Sequence, residues 1–187
     1  MVGSGIGRYE VALSTDSGPY QSVGSTLTGA SLTRALAPGH TYRVRVRAVD
    51  RAGNIGAWRY GTRFRMASFQ ESSRSIRWTG TWRIASCAAY WGGRDRYSTR
   101  AGAKASMTFT GRSFAWVGSI GPSRGRARVY VNGNLVTKVD LHAKASASRR
   151  VLFATTWSSA WSRTITVRLS GTRGHPRGDV DAFVTGS

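Results

Sequence analysis

The closest pair of acid groups in this chain is Asp179 and Asp181, two residues apart in the apolar run Gly178-Asp179-Val180-Asp181-Ala182-Phe183-Val184. Read as one strand, that spacing predicts both carboxylates on one face. Paired carboxylates can hydrolyse a glycosidic bond, and with backbone carbonyls they can hold Ca²⁺. They can equally pair with nearby arginines or cap backbone N–H groups. Only eight acids exist, and Asp50 and Asp140 sit at turns or strand ends. His40, His142 and His175 show no His-x-x-x-His spacing, and no Cys-x-x-Cys exists, which argues against a zinc site. There is no Gly-x-Ser-x-Gly nucleophile motif. From the acid, base and nucleophile inventory the expectation is therefore that the chain is not an enzyme. Cys87, the one cysteine, cannot form an internal disulfide and is expected as a small core residue.

Aromatic loops carry the alternative chemistry. Tyr90-Trp91-Gly92-Gly93-Arg94-Asp95 combines two aromatics, a guanidinium and a carboxylate. Trp157 and Trp161 flank a second predicted loop, TTWSSAWSR. Indole and phenol rings stack on the C–H faces of sugars, while Arg94 and Asp95 would bond hydroxyls. Such residues gather in loops at one rim of a sandwich. The competing reading has Tyr90 and Trp91 closing one end of the core and Trp157 plugging it. Trp78, Trp82 and Trp116 lie within predicted strands and are expected as core or sheet-face residues.

Charge points a third way. The net charge is +20, with 28 basic residues of which 25 are arginine. That balance suits a polyanion binder. The arginines are dispersed, however: Arg43, Arg45 and Arg47 alternate along one strand, and Arg124, Arg126 and Arg128 along another. On strand faces such residues are usually solvated and discourage aggregation. No specific nucleic-acid motif accompanies them, and no apolar run is long enough for a membrane span.

The elements that must position these groups are strands. Arg126–Val131 alternates apolar and polar, Asn132-Gly133 supplies positive φ for a tight turn, and Leu135–Leu141 returns, so a hairpin with one buried face is predicted. Residues 1–66 form a first unit, with strands expected over 8–15, 20–23, 31–36, 42–48 and 60–66. Leu36, Pro38-Gly39, Tyr42, the alternating Val44, Val46 and Ala48, and then Asp50, Gly53, Asn54 and Trp58 resemble the E–F corner and strand F of a fibronectin type III domain. The resemblance implies that the Tyr42 hydroxyl bonds back to local backbone. It also implies that the first strands of that sandwich are missing. The chain is thus expected to be a piece of a longer protein, with upstream domains and any signal peptide in the part before it.

Residues 67–74 are small and polar and read as a linker. Residues 75–187 form a second all-β unit, with strands expected over 76–78, 82–86, 96–99, 105–110, 113–118, 126–131, 135–141, 151–154, 164–169 and 180–184. Tyr97-Ser98-Thr99, Phe109-Thr110-Gly111, Trp116-Val117-Gly118, Gly125-x-Ala127-x-Val129-Tyr130-Val131-x-Gly133, Val139-Asp140-Leu141 and Asp179-Val180-Asp181-Ala182-Phe183 resemble the galactose-binding-like jelly rolls of secreted actinobacterial proteins. The chain departs from that pattern at Asn132 and at Ser162-Arg163. The fold class is therefore all-β: a partial fibronectin type III sandwich followed by a jelly-roll β-sandwich. The resemblance implies a non-catalytic module that binds carbohydrate or cell-envelope polymer, is extracellular or cell-surface, and works within a larger secreted protein. In such modules a C-terminal-strand Asp takes part in a structural calcium site completed by acids near the module's start. The resemblance therefore makes Asp179 and Asp181 candidate ligands, but this chain's start offers only Glu71. No cofactor is therefore expected, and pairing with arginines or backbone capping is the favoured role of the two acids. Two further readings stay open: a structural spacer or assembly module without a small ligand, and a nonspecific polyanion binder.

Overall fold

The computed structural model describes residues 5–29, 31–32 and 34–187. Among them every regular element is a strand, apart from one 3₁₀ turn at Trp91–Gly93. The chain divides into two compact units, 1–66 and 67–187.

The first unit holds β1 (Ile6–Thr15), β2 (Gln21–Leu27), β3 (Thr41–Asp50), β4 (Arg59–Tyr60) and the start of β5 (Phe64–Gln70). β1 lies between β2 and β3, all antiparallel, and β3 also pairs with β4 and β5. Tyr9, Val11 and Leu13 stand opposite Ala48, Val46 and Val44 and form the apolar face. Tyr42 is buried, and its hydroxyl donates to the Ala37 carbonyl at 2.8 Å. The described residues of 31–36 form no strand, and the expected strand 60–66 is broken at Gly61, whose N–H bonds the Val44 carbonyl.

The arginines of β3 are not a solvated row. The Arg45 guanidinium lies 4.3 Å from the Tyr20 ring and 4.2 Å from Trp58. Arg47 stacks on Trp58 at 4.5 Å, and Arg43 on Tyr60 at 5.0 Å. Interleaving cations with rings disperses the like charges and buries the arginine stems.

The second unit is a sandwich of two antiparallel sheets. One has the order β11 (Asn134–Asp140), β10 (Arg126–Val131), β12 (Ala147–Leu169), β9 (Lys104–Ile120), β14 (Ala182–Gly186), with β6 (Arg77–Thr79) also on β9. The other has the order β13 (Gly178–Val180), β8 (Arg94–Ser98), β7 (Arg83–Ser86). The core contains Met107, Phe114, Trp116, Val129, Leu141, Ile165, Val167 and Phe183, with Phe109 and Trp157 packed on it. The 132–133 turn has φ of 50° and 83°, the geometry Asn-Gly favours.

Three expectations change here. Residues 67–74 are not a free linker, because β5 runs on to Gln70, Phe69 packs on the core and Glu71 is buried. The strands expected at 105–110 and 113–118 are one strand, β9, and those at 151–154 and 164–169 are one strand, β12. The strand expected at 180–184 is two, because Asp181 is the point where the chain passes from one sheet to the other.

Candidate functional site

The sequence-predicted ligand residues fall into two separate places. Tyr90 and Trp91 sit in a turn closed by Cys87 and Gly93: the Tyr90 N–H bonds the Cys87 carbonyl, and the Gly93 N–H bonds that of Tyr90. Arg149, at φ 54° in an irregular part of β12, clamps this turn. Its guanidinium donates to the Ala88 and Tyr90 carbonyls at 3.0 and 2.9 Å. Tyr90 is buried, Trp91 half-buried and Arg94 exposed. Cys87 is exposed rather than in the core.

Asp95 is fully buried and cannot reach a ligand from the rim. Alternation explains this: Arg94 faces solvent at the start of β8, so Asp95 takes the opposite face of that strand. Neither of its carboxylate oxygens has a hydrogen-bond donor, and the nearest cation, Arg177 Nη2, is 3.8 Å away, too far for a hydrogen bond. Burial first, and then the Asp179 charge, push the Asp95 carboxyl up to about 8.

Asp179 is also fully buried. It accepts from Arg124 Nε at 2.9 Å and from Arg177 Nε at 2.6 Å. Arg177 in turn covers the Tyr97 ring at 4.0 Å. Asp181 points elsewhere, and its two oxygens accept the Trp91 backbone N–H at 3.1 and 2.9 Å. Burial raises the Asp181 carboxyl to about 6 against the opposing pull of that N–H. The two acids therefore do not share a face. One is committed to two guanidiniums and the other to a backbone cap. This set does not fit calcium, and among the described residues no group of three or more His, Cys, Asp or Glu is placed to hold a metal ion.

The second place is the middle of β12. The expected loop TTWSSAWSR is a bulged continuation of the strand: Thr156 pairs with Ser113 and Trp161 with Gly111, so four β12 residues bypass one residue of β9. Trp157 turns inward against Phe109. Trp161, where pairing with β9 resumes beyond the bulge, is 67% exposed. Arg163 holds the bulge, donating to the Gly111 and Trp161 carbonyls at 3.0 and 3.1 Å, with its guanidinium 4.3 Å from the Trp157 ring. Composition alone did not single out Arg163. The signal was its position two residues after Trp161, on the same side of a strand.

Trp91 and Trp161 do not share a rim. Arg149, which clamps the Trp91 turn, sits between the β12–β9 pairs Ala147–Ile120 and Arg150–Gly118, whereas Trp161 pairs with Gly111. The seven residue steps along β9 from Gly111 to Gly118 span roughly 23 Å of extended strand. Of the two, the ring available for stacking is Trp161, whose backbone carbonyl Arg163 holds.

No family model matches the chain. It is similar to two proteins of Flavonifractor plautii. One is an A type blood N-acetyl-alpha-D-galactosamine deacetylase, 33% identical over 75 residues, or 40% of this chain and 10% of that protein. The other is an A type blood alpha-D-galactosamine galactosaminidase, 32% identical over 80 residues, or 43% of this chain and 7% of that protein. The chain thus spans a tenth or less of the curated relatives it matches. Both relatives are named as enzymes, which corrects the expectation that this sequence stands outside enzymes. Lack of a triad or paired acids in a stretch this short does not separate it from them. Among solved structures the chain overlays a family two carbohydrate esterase from Cellvibrio japonicus at TM-score 0.49 and 15% identity, covering 66% of this chain and 34% of that one. It also overlays an exo-beta-1,3-galactanase from Phanerochaete chrysosporium at TM-score 0.46 and 19% identity, covering 74% of this chain and 32% of that one.

Proposed function

We propose that the second unit is a carbohydrate-binding module of a larger carbohydrate-active protein. The single observation that carries this reading is Trp161, a large apolar ring two-thirds exposed on a bulge that Arg163 holds in place. Exposing an indole costs stability unless a ligand covers it, and pyranose C–H faces suit its π surface. The similarity to enzymes named for galactosamine-containing glycans supports a sugar ligand. On this reading the module is a galactose-binding-like jelly roll, and the first unit is a fibronectin type III-like spacer whose corner tyrosine is Tyr42. The partner is a polysaccharide or cell-wall polymer, met outside the cell or at its surface. No described helix is long and apolar enough to cross a membrane.

The test is retention of the full chain on an insoluble neutral polysaccharide and on an immobilised glycan ending in N-acetylgalactosamine, at low and high salt. Salt-resistant retention that Trp161→Ala abolishes and Trp91→Ala leaves intact supports the proposal. Retention unchanged by Trp161→Ala, or none on either matrix, overturns it.

A further inference from the structure

Four basic residues that are scattered in the sequence stand side by side in the folded sheet. On the outward face Lys138 of β11 lies opposite Arg128 of β10, Arg128 opposite Arg168 of β12, and Arg168 opposite Lys104 of β9. With neighbouring strands about 4.8 Å apart, the row crosses four strands and spans about 15 Å. Lys138, Arg128 and Arg168 are exposed, and Lys104 is half-buried. Among the described residues none of the four has an ion-pair partner, whereas Arg126, two residues before Arg128 on the same face, is neutralised by Asp140 at 3.1 Å. Like charges directly opposite one another in a sheet are unfavourable. Here, unlike the β3 arginines, no aromatic ring is interleaved between them.

The next register along the sheet is rich in hydroxyls and ends in the exposed Arg77 of β6: Tyr130 pairs with Thr166, Thr166 with Ser106, and Ser106 with Arg77. Between the two rows lies an open depression of about 220 Å³ lined by Lys104, Tyr130, Gly133, Thr166 and Arg168. A cation row, an adjoining row of hydroxyls and one half-exposed phenol ring form a linear, amphiphilic track across the strands.

We infer that this face binds a linear anionic polysaccharide carrying about one carboxylate per sugar, laid across the strands. Each uronate would meet one cation of the row, because an extended glycan advances by about one strand spacing per sugar. The sugar hydroxyls would meet Thr166 and Ser106, with one ring against Tyr130. The inference rests on the reading of the chain as carbohydrate-binding. It adds a second surface, separate from Trp161, and a charge class of ligand. A nucleic acid is the competing polyanion, and the test separates the two.

The full chain is titrated calorimetrically with polygalacturonate, its fully methyl-esterified form and a 20-nucleotide single-stranded DNA, across a salt series. The wild type is expected to bind polygalacturonate at least tenfold more tightly than the ester and the DNA. The pair Arg128→Gln/Arg168→Gln should lower polygalacturonate affinity at least tenfold and flatten the salt slope by about two. The equally charge-reduced pair Arg59→Gln/Arg63→Gln, both exposed residues of the first unit, should change affinity less than twofold. Equal losses in the two pairs would make net charge the cause and overturn the row. Tighter, row-dependent binding of the DNA would overturn the glycan assignment. Retention of the Arg128→Gln/Arg168→Gln chain on the neutral matrix through Trp161 keeps failure of this surface distinct from failure of the stacking site.

Discussion

Replacing Asp95 by Asn should make the second unit more stable above neutral pH and leave it nearly unchanged in acid. Asn keeps the size of the side chain and removes its charge. In the native protein the carboxyl is fully buried, its oxygens have no donor, and it lies near Asp179. Its protonation midpoint is raised from 3.8 to about 8. A group raised in this way favours the folded state while protonated, and that advantage is lost as pH climbs through the folded value. Loss therefore begins near pH 4 and is complete somewhat above pH 8. At about 1.4 kcal/mol per pH unit the full excursion is worth about 6 kcal/mol, and proximity of Arg177 with local relaxation brings the expected difference to about 2–4 kcal/mol. The assay is urea unfolding followed by tryptophan fluorescence, since Trp116 reports on this core, for wild type and Asp95→Asn at pH 5, 7 and 9. The difference in stability between the two proteins should widen steadily with pH. Curves that stay parallel from pH 5 to 9 would refute the reasoning. Loss of stability in Asp95→Asn at every pH would show instead that an ionised Asp95 holds Arg177.

Gly125→Ala should cost about 2–3 kcal/mol by overpacking, because a Cβ there would meet the His175 carbonyl oxygen at 2.3 Å, and backbone bonds from Gly125 to Arg177 and from Leu141 to Gly125 prevent retreat; denaturant midpoints check it. Trp116→Phe should cost about 2–3 kcal/mol through lost volume and the orphaned Asp179 carbonyl, which now accepts the indole N–H at 3.1 Å; the same unfolding curve reads it. Tyr42→Phe should cost the first unit about 1 kcal/mol, the usual worth of one such hydrogen bond, seen as a lower midpoint in its own transition. Trp161→Ala should change stability by less than about 0.5 kcal/mol, because the ring is mostly outside, so that any loss of glycan retention in that variant is a loss of contact and not of fold.

Local pattern was enough for much of the fold. The alternation in Arg126–Val131, the Asn-Gly turn and the return strand appear in the structure within one residue of where the sequence puts them, because a two-residue hairpin is determined by residues in contact along the chain. The buried residues Ala105, Met107, Ile165, Val167 and Leu169 alternate with period two along strands the sequence placed, for the same reason. The all-β class followed from many such short patterns together. What failed was anything that depended on where a strand goes next. Asp179 and Asp181 look like neighbours on one strand, yet the chain changes sheets between them. Of the partners that decide their chemistry, Arg177 is two residues from Asp179, but Arg124 and the Trp91 N–H lie 55 and 90 residues away along the chain. Trp157 and Trp161 look like loop residues because no local signal marks a bulge that is held by a facing strand.

The arginines show the division most plainly. Alternation by itself put Arg43, Arg45 and Arg47 on one side of a strand and Arg128 on one side of another. Their different surroundings depend on residues far away in sequence. Tyr20, Trp58 and Tyr60 interleave with the first set. Arg128 is set between Lys138 and Arg168. Which face a side chain takes is a property of backbone geometry over two residues, so the sequence determines it. Whether that face meets a ring, an acid or another cation depends on strand order and register, and only the assembled sheet decides it.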